Sequence, residues 1–227
     1  MSHLFSVFDP STGVYFAFNW VSGFSIMLML PSVYWLHKSM ISTVFQKSMH
    51  ILHMDLMMVL GKFTSPGISH MMCTLFIMIL LNNFMGLLPY VFTCTSHMVF
   101  TLSFALPMWL GSLIWGFYKN SDNVLGHLVP LGTPGLLMPF MVVIELISVM
   151  IRPITLAVRL MANMVAGHLL LELIGGMLYA LNAKFIFMQI SVMALMGLEM
   201  GVAMIQSYVF TMLLVLYFSE VSTWKVM

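Results

Sequence analysis

The sequence predicts an all-α membrane protein. It would have one N-terminal transmembrane helix, one amphipathic surface helix, a transmembrane hairpin, and a long, strongly tilted C-terminal helix hairpin. Three observations carry this. Of the 227 residues, 61% are hydrophobic and only 7% are charged, and the mean hydropathy is +1.04. A soluble domain carries about 25% charged residues, so this chain cannot cover a water-facing surface. Several nearly uncharged runs reach the roughly 20 residues that a spanning helix needs. Where polar residues interrupt those runs, they recur at helical spacing. The whole chain, residues 1–227, reads as a single membrane domain.

The first apolar segment, 14–36, is uncharged and long enough to span, and His37 and Lys38 end it. The preceding MSHLFSVFDPSTG has no basic region and no small-residue cleavage site, so the first run is expected to be retained. The second segment, 39–62, differs. Thr43, Gln46, Lys47, His50 and His53 recur every three or four residues, with Ile41, Val44, Phe45, Leu52 and Leu56 between them. That pattern predicts an amphipathic helix lying on the membrane surface, with a loop as the alternative. Segments 67–89 and 96–118 each span, and the polar stretch KNSDNVLGHLVPLGTPG that follows reads as a loop.

The last two segments are 136–174 and 184–218. Pro139 suits a helix start. Pro153 is expected to bend the fifth segment without ending it, and the first stop signal is Gly175-Gly176. Each helix would be roughly 50 Å long or more, against a hydrocarbon core of about 30 Å. They must tilt steeply or bend; alternatively, each breaks into two short upright helices. With the N-terminus outside and segments one, three, four, five and six crossing, Lys38, Lys47, Lys62, Lys119 and Lys225 face inward and only Lys184 faces out. That distribution satisfies the positive-inside rule.

The composition also excludes function classes. Formal net charge is +1, and no basic patch suggests nucleic acid. Cys73 and Cys94 form neither a disulfide framework nor a CxxC metal site. No GxxxxGK[ST] phosphate loop is present, and no cofactor is called for. Methionine occurs 27 times, which fits a mitochondrial genome that reads an isoleucine codon as Met.

The fifth segment carries the least expected residues. An arginine near the bilayer centre costs about 2.5–3.5 kcal/mol on insertion scales, yet Arg152 and Arg159 both lie here. At 100° per residue, Glu145, Ser148, Arg152, Thr155, Arg159 and Asn163 fall within an arc of about 80°. Ala162 and Ala166 lie on or near that face, which is therefore polar and also small enough for another helix to approach. His168 and Glu172 fall on the opposite side. Ser148 and Thr155 read as helix–helix glue. Glu145 and Arg152 fit a structural ion pair or a place near the membrane edge as well as they fit a direct role. Arg159 has no carboxylate at i±3 or i±4, so it calls for an anion from elsewhere. On the sixth segment, Glu199 is the only charged residue between Lys184 and Glu220, and Gln206 shares its face. Gly197, Gly201 and Ala203 are expected to allow close packing there. A lone carboxyl at that depth suits proton exchange, with a packing role as the alternative.

Three stretches, ITLAVRLMANMVAGHLL (154–170), NNFMGLLPY (82–90) and LEMGVAMIQSYVF (198–210), resemble signatures of the subunit a family of mitochondrial F-type ATP synthases. The resemblance covers the whole chain, and RLxANxxAGH is its most specific motif. It implies a proton-translocating stator subunit with two offset aqueous half-channels. These would pass protons to and from carboxylates of a rotating c-ring, against which the C-terminal hairpin packs. Arg159 matches the stator arginine facing those carboxylates. Glu199 and His168 match a polar pair of one half-channel, and Glu145, Asn163 and Gln206 match other positions near the proton path. Glu172, one turn from His168, departs from the pattern, since many mitochondrial relatives carry a histidine there. Ala162 and Ala166 would then face the rotor. The implied setting is the mitochondrial inner membrane, with the N-terminus in the intermembrane space and the C-terminus in the matrix. The implied partners are the c-ring, the peripheral stalk, other membrane-sector subunits and lipid. Catalytic ATP chemistry would lie outside this chain.

Other readings remain from the residues alone. A haem-bearing respiratory subunit needs paired histidines within spans, and His168 stands alone in its helix. A membrane scaffold accounts for polar seams but not for Arg159. His168 and Glu172, at i and i+4, could both reach one Zn²⁺, although two ligands make a weak site.

Overall fold

The computed structural model describes residues 4–11, 17–25, 39–61, 66–88, 90–127, 134–135, 137–178 and 185–223. The described residues are helical apart from short turns and connections. A 3-10 turn, Leu4–Phe8, comes first, and a second, Phe18–Trp20, runs into the short helix α1, Val21–Ser25. Most of the first predicted span, 14–36, lies outside the described residues. The long helices are α2 (Met40–Leu60), α3 (Pro66–Gly86), α4 (Met98–His127), α5 (Met138–Leu178) and α6 (Phe185–Thr223). Four of them, α3 to α6, are long and apolar enough to cross a membrane.

Local chemistry sets several boundaries. Ser39 caps α2, its hydroxyl accepting from the Ser42 N–H at 3.2 Å. Gly61 closes the helix at φ 68°, where a side chain would strain the backbone. Pro66 opens α3, where its missing N–H costs nothing. Gly86 ends α3, and a Cβ there would lie 2.9 Å from Thr93 Cγ2, so the returning chain needs the glycine.

Two helices run through residues expected to stop them. α4 continues past Tyr118 to His127, through residues expected to form a loop. No proline interrupts that stretch, and Val124 is buried against the rest of the chain. α5 likewise runs through Gly175 and Gly176 to Leu178; glycine in a helix costs about 1 kcal/mol but does not by itself end it. Both C-terminal helices are single, α5 at 41 residues and α6 at 39, and Pro153 sits within α5 without breaking it.

The core is shared by α2, α3, α4, α5 and α6, and includes Leu60, Met72, Ile79, Ala105, Leu160 and Phe210. α6 is the central element, touching α2, α3, α4 and α5. α5 is the least covered of the four: 17% of its most apolar stretch is buried, against 44% for α6. Much of α5 therefore remains for lipid or another chain to cover.

The face of α2 differs from the expectation. The side turned to the protein carries Ser42, Leu56 and Leu60, together with His53, whose ring stands edge-on to His70 of α3 at 4.7 Å. Val44, Ile51 and Met58 are exposed on the other side. The sequence pattern placed His53 with the outward polar residues; the rotation of α2 against α3 and α6 turns it inward.

Candidate functional site

α5 and α6 run antiparallel. Arg152 meets Glu220, Asn163 meets Gln206, and Gly167 meets Glu199, so position falls along α6 as it rises along α5. Those three meetings bring Arg152, Asn163, Gln206 and Glu199, all singled out from the sequence, to one helix–helix interface.

The first cluster surrounds Glu199. A cavity of about 190 Å³ is lined by Asn163, Ala166, Gly167, His168 and Met164 of α5, by Leu195, Leu198, Glu199 and Val202 of α6, and by Leu87 after α3. It is large enough for several water molecules. Glu199 is buried, and neither carboxyl oxygen has a hydrogen-bond partner among the described residues. The same holds for His168 Nε2. A partnerless fixed charge in an apolar interior is costly. One turn away, Asn163 Nδ2 donates to Gln206 Oε1 at 3.0 Å, closing the interface on that side.

The glycine that makes this possible is Gly167. A Cβ there would stand 2.8 Å from Glu199 Oε1, 2.9 Å from Cδ and 3.2 Å from Cγ. The carboxyl thus rests directly on the α5 backbone. Gly197 and Gly201, expected to be the close-packing glycines, have no atom of the described residues within 4 Å of where a Cβ would go. They face away from this interface, whereas Ala203 is buried.

The second cluster sits toward the other end of the helix pair. Arg152 Nη1 donates to Glu220 Oε2 at 2.6 Å, and its guanidinium carbon lies 5.4 Å from the centre of the Tyr217 ring. Among the described residues no ion pair joins Arg152 to Glu145, which is half-buried on α5. Glu220 and Tyr217 were not singled out from the sequence. Their role depends on the hairpin register, which periodicity along one helix does not contain.

Arg159 lies between the two clusters, about 10 Å along the axis from Arg152 and about 13 Å from His168. It is exposed, and it makes no hydrogen bond or ion pair among the described residues. Ala162, Asn163 and Ala166 are exposed beyond it. Ala166 is thus shared between the open face and the cavity. Glu172 is half-buried one turn past His168 and forms no ion pair among the described residues. No group of three or more His, Cys, Asp or Glu among the described residues could hold a metal ion.

The sequence model of the family described as "ATP synthase A chain" matches residues 16–219. The chain is 50% identical to ATP synthase subunit a of Drosophila melanogaster over 226 residues, covering 98% of this chain and 100% of that one. It is 50% identical to ATP synthase subunit a of Locusta migratoria over 223 residues, covering 97% and 99%. With the protein of the same name in Aedes aegypti it shares 46% over 226 residues, covering 98% and 100%.

Proposed function

This chain belongs to the ATP synthase A chain family, and from that premise we propose that it is the proton-translocating stator subunit of a mitochondrial F-type ATP synthase. The observation that carries the reading is the placement of exposed Arg159 between two polar clusters at different depths of the α5–α6 pair. Two clusters offset along a helix and separated by a fixed cation are what two half-channels require.

The mechanism follows from charge. A guanidinium stays protonated at any relevant pH. As a carboxylate of the c-ring passes Arg159, the cation favours its ionised form, and the proton leaves into one half-channel. The next ring site reloads from the other. The same cation repels protons that would otherwise cross directly between the channels. Glu199, with His168, Asn163 and Gln206 beside it, exchanges protons on one side. Glu145 and Glu172 lie near the path. Arg152, Glu220 and Tyr217 stand at the opposite end, where the second channel would open. The membrane potential supplies about 2.3 kcal/mol per charge per 100 mV, which biases the direction of rotation. Ala162 and Ala166 keep the rotor-facing surface flat enough for the ring to approach.

The setting proposed is the mitochondrial inner membrane, with the N-terminus in the intermembrane space and the C-terminus in the matrix. The c-ring, the peripheral stalk and other membrane-sector subunits are the proposed partners. The test is Arg159→Ala in the assembled complex. Proton-driven ATP synthesis should be lost while assembly is retained. Arg159→Lys should recover little, because an ammonium can lose its proton when desolvated and lacks the fork geometry. Normal proton-driven synthesis in the alanine variant would remove Arg159 from the mechanism.

A further inference from the structure

The N-terminal turn reaches the cavity's histidine. Phe8, half-buried, stands edge-on to His168, with ring centres 6.3 Å apart and planes at 84°. The turn is tied down beyond Phe8. Asn19 Nδ2 donates to the Asp9 carbonyl at 3.4 Å, and the Asp9 carboxylate accepts from the Ser11 N–H at 3.0 Å. Ser22, three residues after Asn19, in turn donates to the Phe92 carbonyl at 3.2 Å. A chain of contacts thus runs from the loop after α3, through the N-terminal turns, to His168. Phe8 does not line the Glu199 cavity. The imidazole therefore stands between the cavity and the phenyl ring.

We propose that Phe8 is a positioning residue for His168: its ring holds the imidazole edge-on and covers it on the side turned to the N-terminal segment, so that the orientation of His168 at the Glu199 cavity depends on this aromatic contact. Three points support the assignment. The contact joins residues 160 positions apart in sequence, so it is tertiary and not a by-product of helix geometry. His168 Nε2 is buried with no protein partner among the described residues, so the hydrogen bonds that normally fix a histidine's orientation do not hold it at that atom. Phe5, on the same turn, is 68% exposed, so burial of Phe8 is specific and not a general collapse of the N-terminal segment.

The proposal rests on the reading of His168 as part of a proton path, and its test keeps the two separable. In assembled complexes in vesicles, with Cys73 and Cys94 changed to serine, a cysteine placed at 168 is labelled with a charged methanethiosulfonate. Phe8→Ala should speed labelling severalfold, because the thiol at 168 loses the ring that covers it. Phe8→Tyr should keep the parental rate. With His168 intact, Phe8→Ala should shift the pH profile of passive proton conduction, and Phe8→Tyr should restore the parental profile. Equal labelling rates in the parent and Phe8→Ala would overturn the cover without affecting the proton-path reading. Unchanged proton flux in His168→Leu would overturn that reading without affecting the labelling result. Phe8→Val provides the same comparison with a smaller loss of volume should the alanine variant not assemble.

Discussion

Gly167→Ala adds one methyl group where the structure leaves no room for it. The new carbon would sit 2.8 Å from Glu199 Oε1 and 2.9 Å from Cδ, with Cγ at 3.2 Å. An ordinary carbon contact lies at about 3.5–4.0 Å, so the carboxyl end must retreat by several tenths of an ångström or change rotamer. Two opposing terms set the effect on stability. Alanine in place of helical glycine gains roughly 0.5–1 kcal/mol, and overpacking a fitted site costs about 1–3 kcal/mol. The net is a loss of at most about 2.5 kcal/mol, small enough for the complex to assemble. The functional effect should be larger, because a misplacement of about 1 Å at a reacting group can cost on the order of 100-fold in rate. The assay is proton pumping by fluorescence quenching in vesicles, normalised to assembled complex, with Gly175→Ala as control. A Cβ at Gly175 meets nothing within 4 Å among the described residues, so that variant should pump normally. Gly167→Ala pumping at the Gly175→Ala rate would refute the claim that Glu199 acts from where it rests on the α5 backbone.

The remaining expectations address the same interface from its two sides. Glu199→Gln should slow proton translocation severely and Glu199→Asp less, since only aspartate keeps a titratable group; a double mutant with His168→Leu no worse than the worse single variant would place both on one path. On the open face, Ala166→Leu should lower proton flux without changing charge, because added bulk holds the ring away from Arg159. Cysteines at 162 or 166 should crosslink to a ring helix more readily than cysteines at 169 or 172; preference for the latter pair would mean that α5 presents a different face.

The class of the protein is legible in its composition alone. A chain with 7% charge has to be a membrane protein, and the two long C-terminal helices followed from the absence of any break signal over their length. The polar stripe on α5 was legible for the same reason: helical spacing is a property of one helix, and an arginine without a local carboxylate can be recognised from its neighbours alone. The RLxANxxAGH run made the family legible as well.

What needed the tertiary structure was everything that depends on two helices meeting. The register of α5 against α6 decides that Arg152 pairs with Glu220 and not with Glu145, and that Asn163 reaches Gln206. The rotation of α6 decides that Gly167 is the close-contact glycine while Gly197 and Gly201 face away. The rotation of α2 turns His53 inward against His70. The contact of Phe8 with His168 joins residues 160 positions apart, and no periodicity could have carried it. Spacing along one helix fixes the angle of each side chain about that helix's own axis. It says nothing of the neighbour's rotation or register, and at this interface those two quantities select the residues that touch.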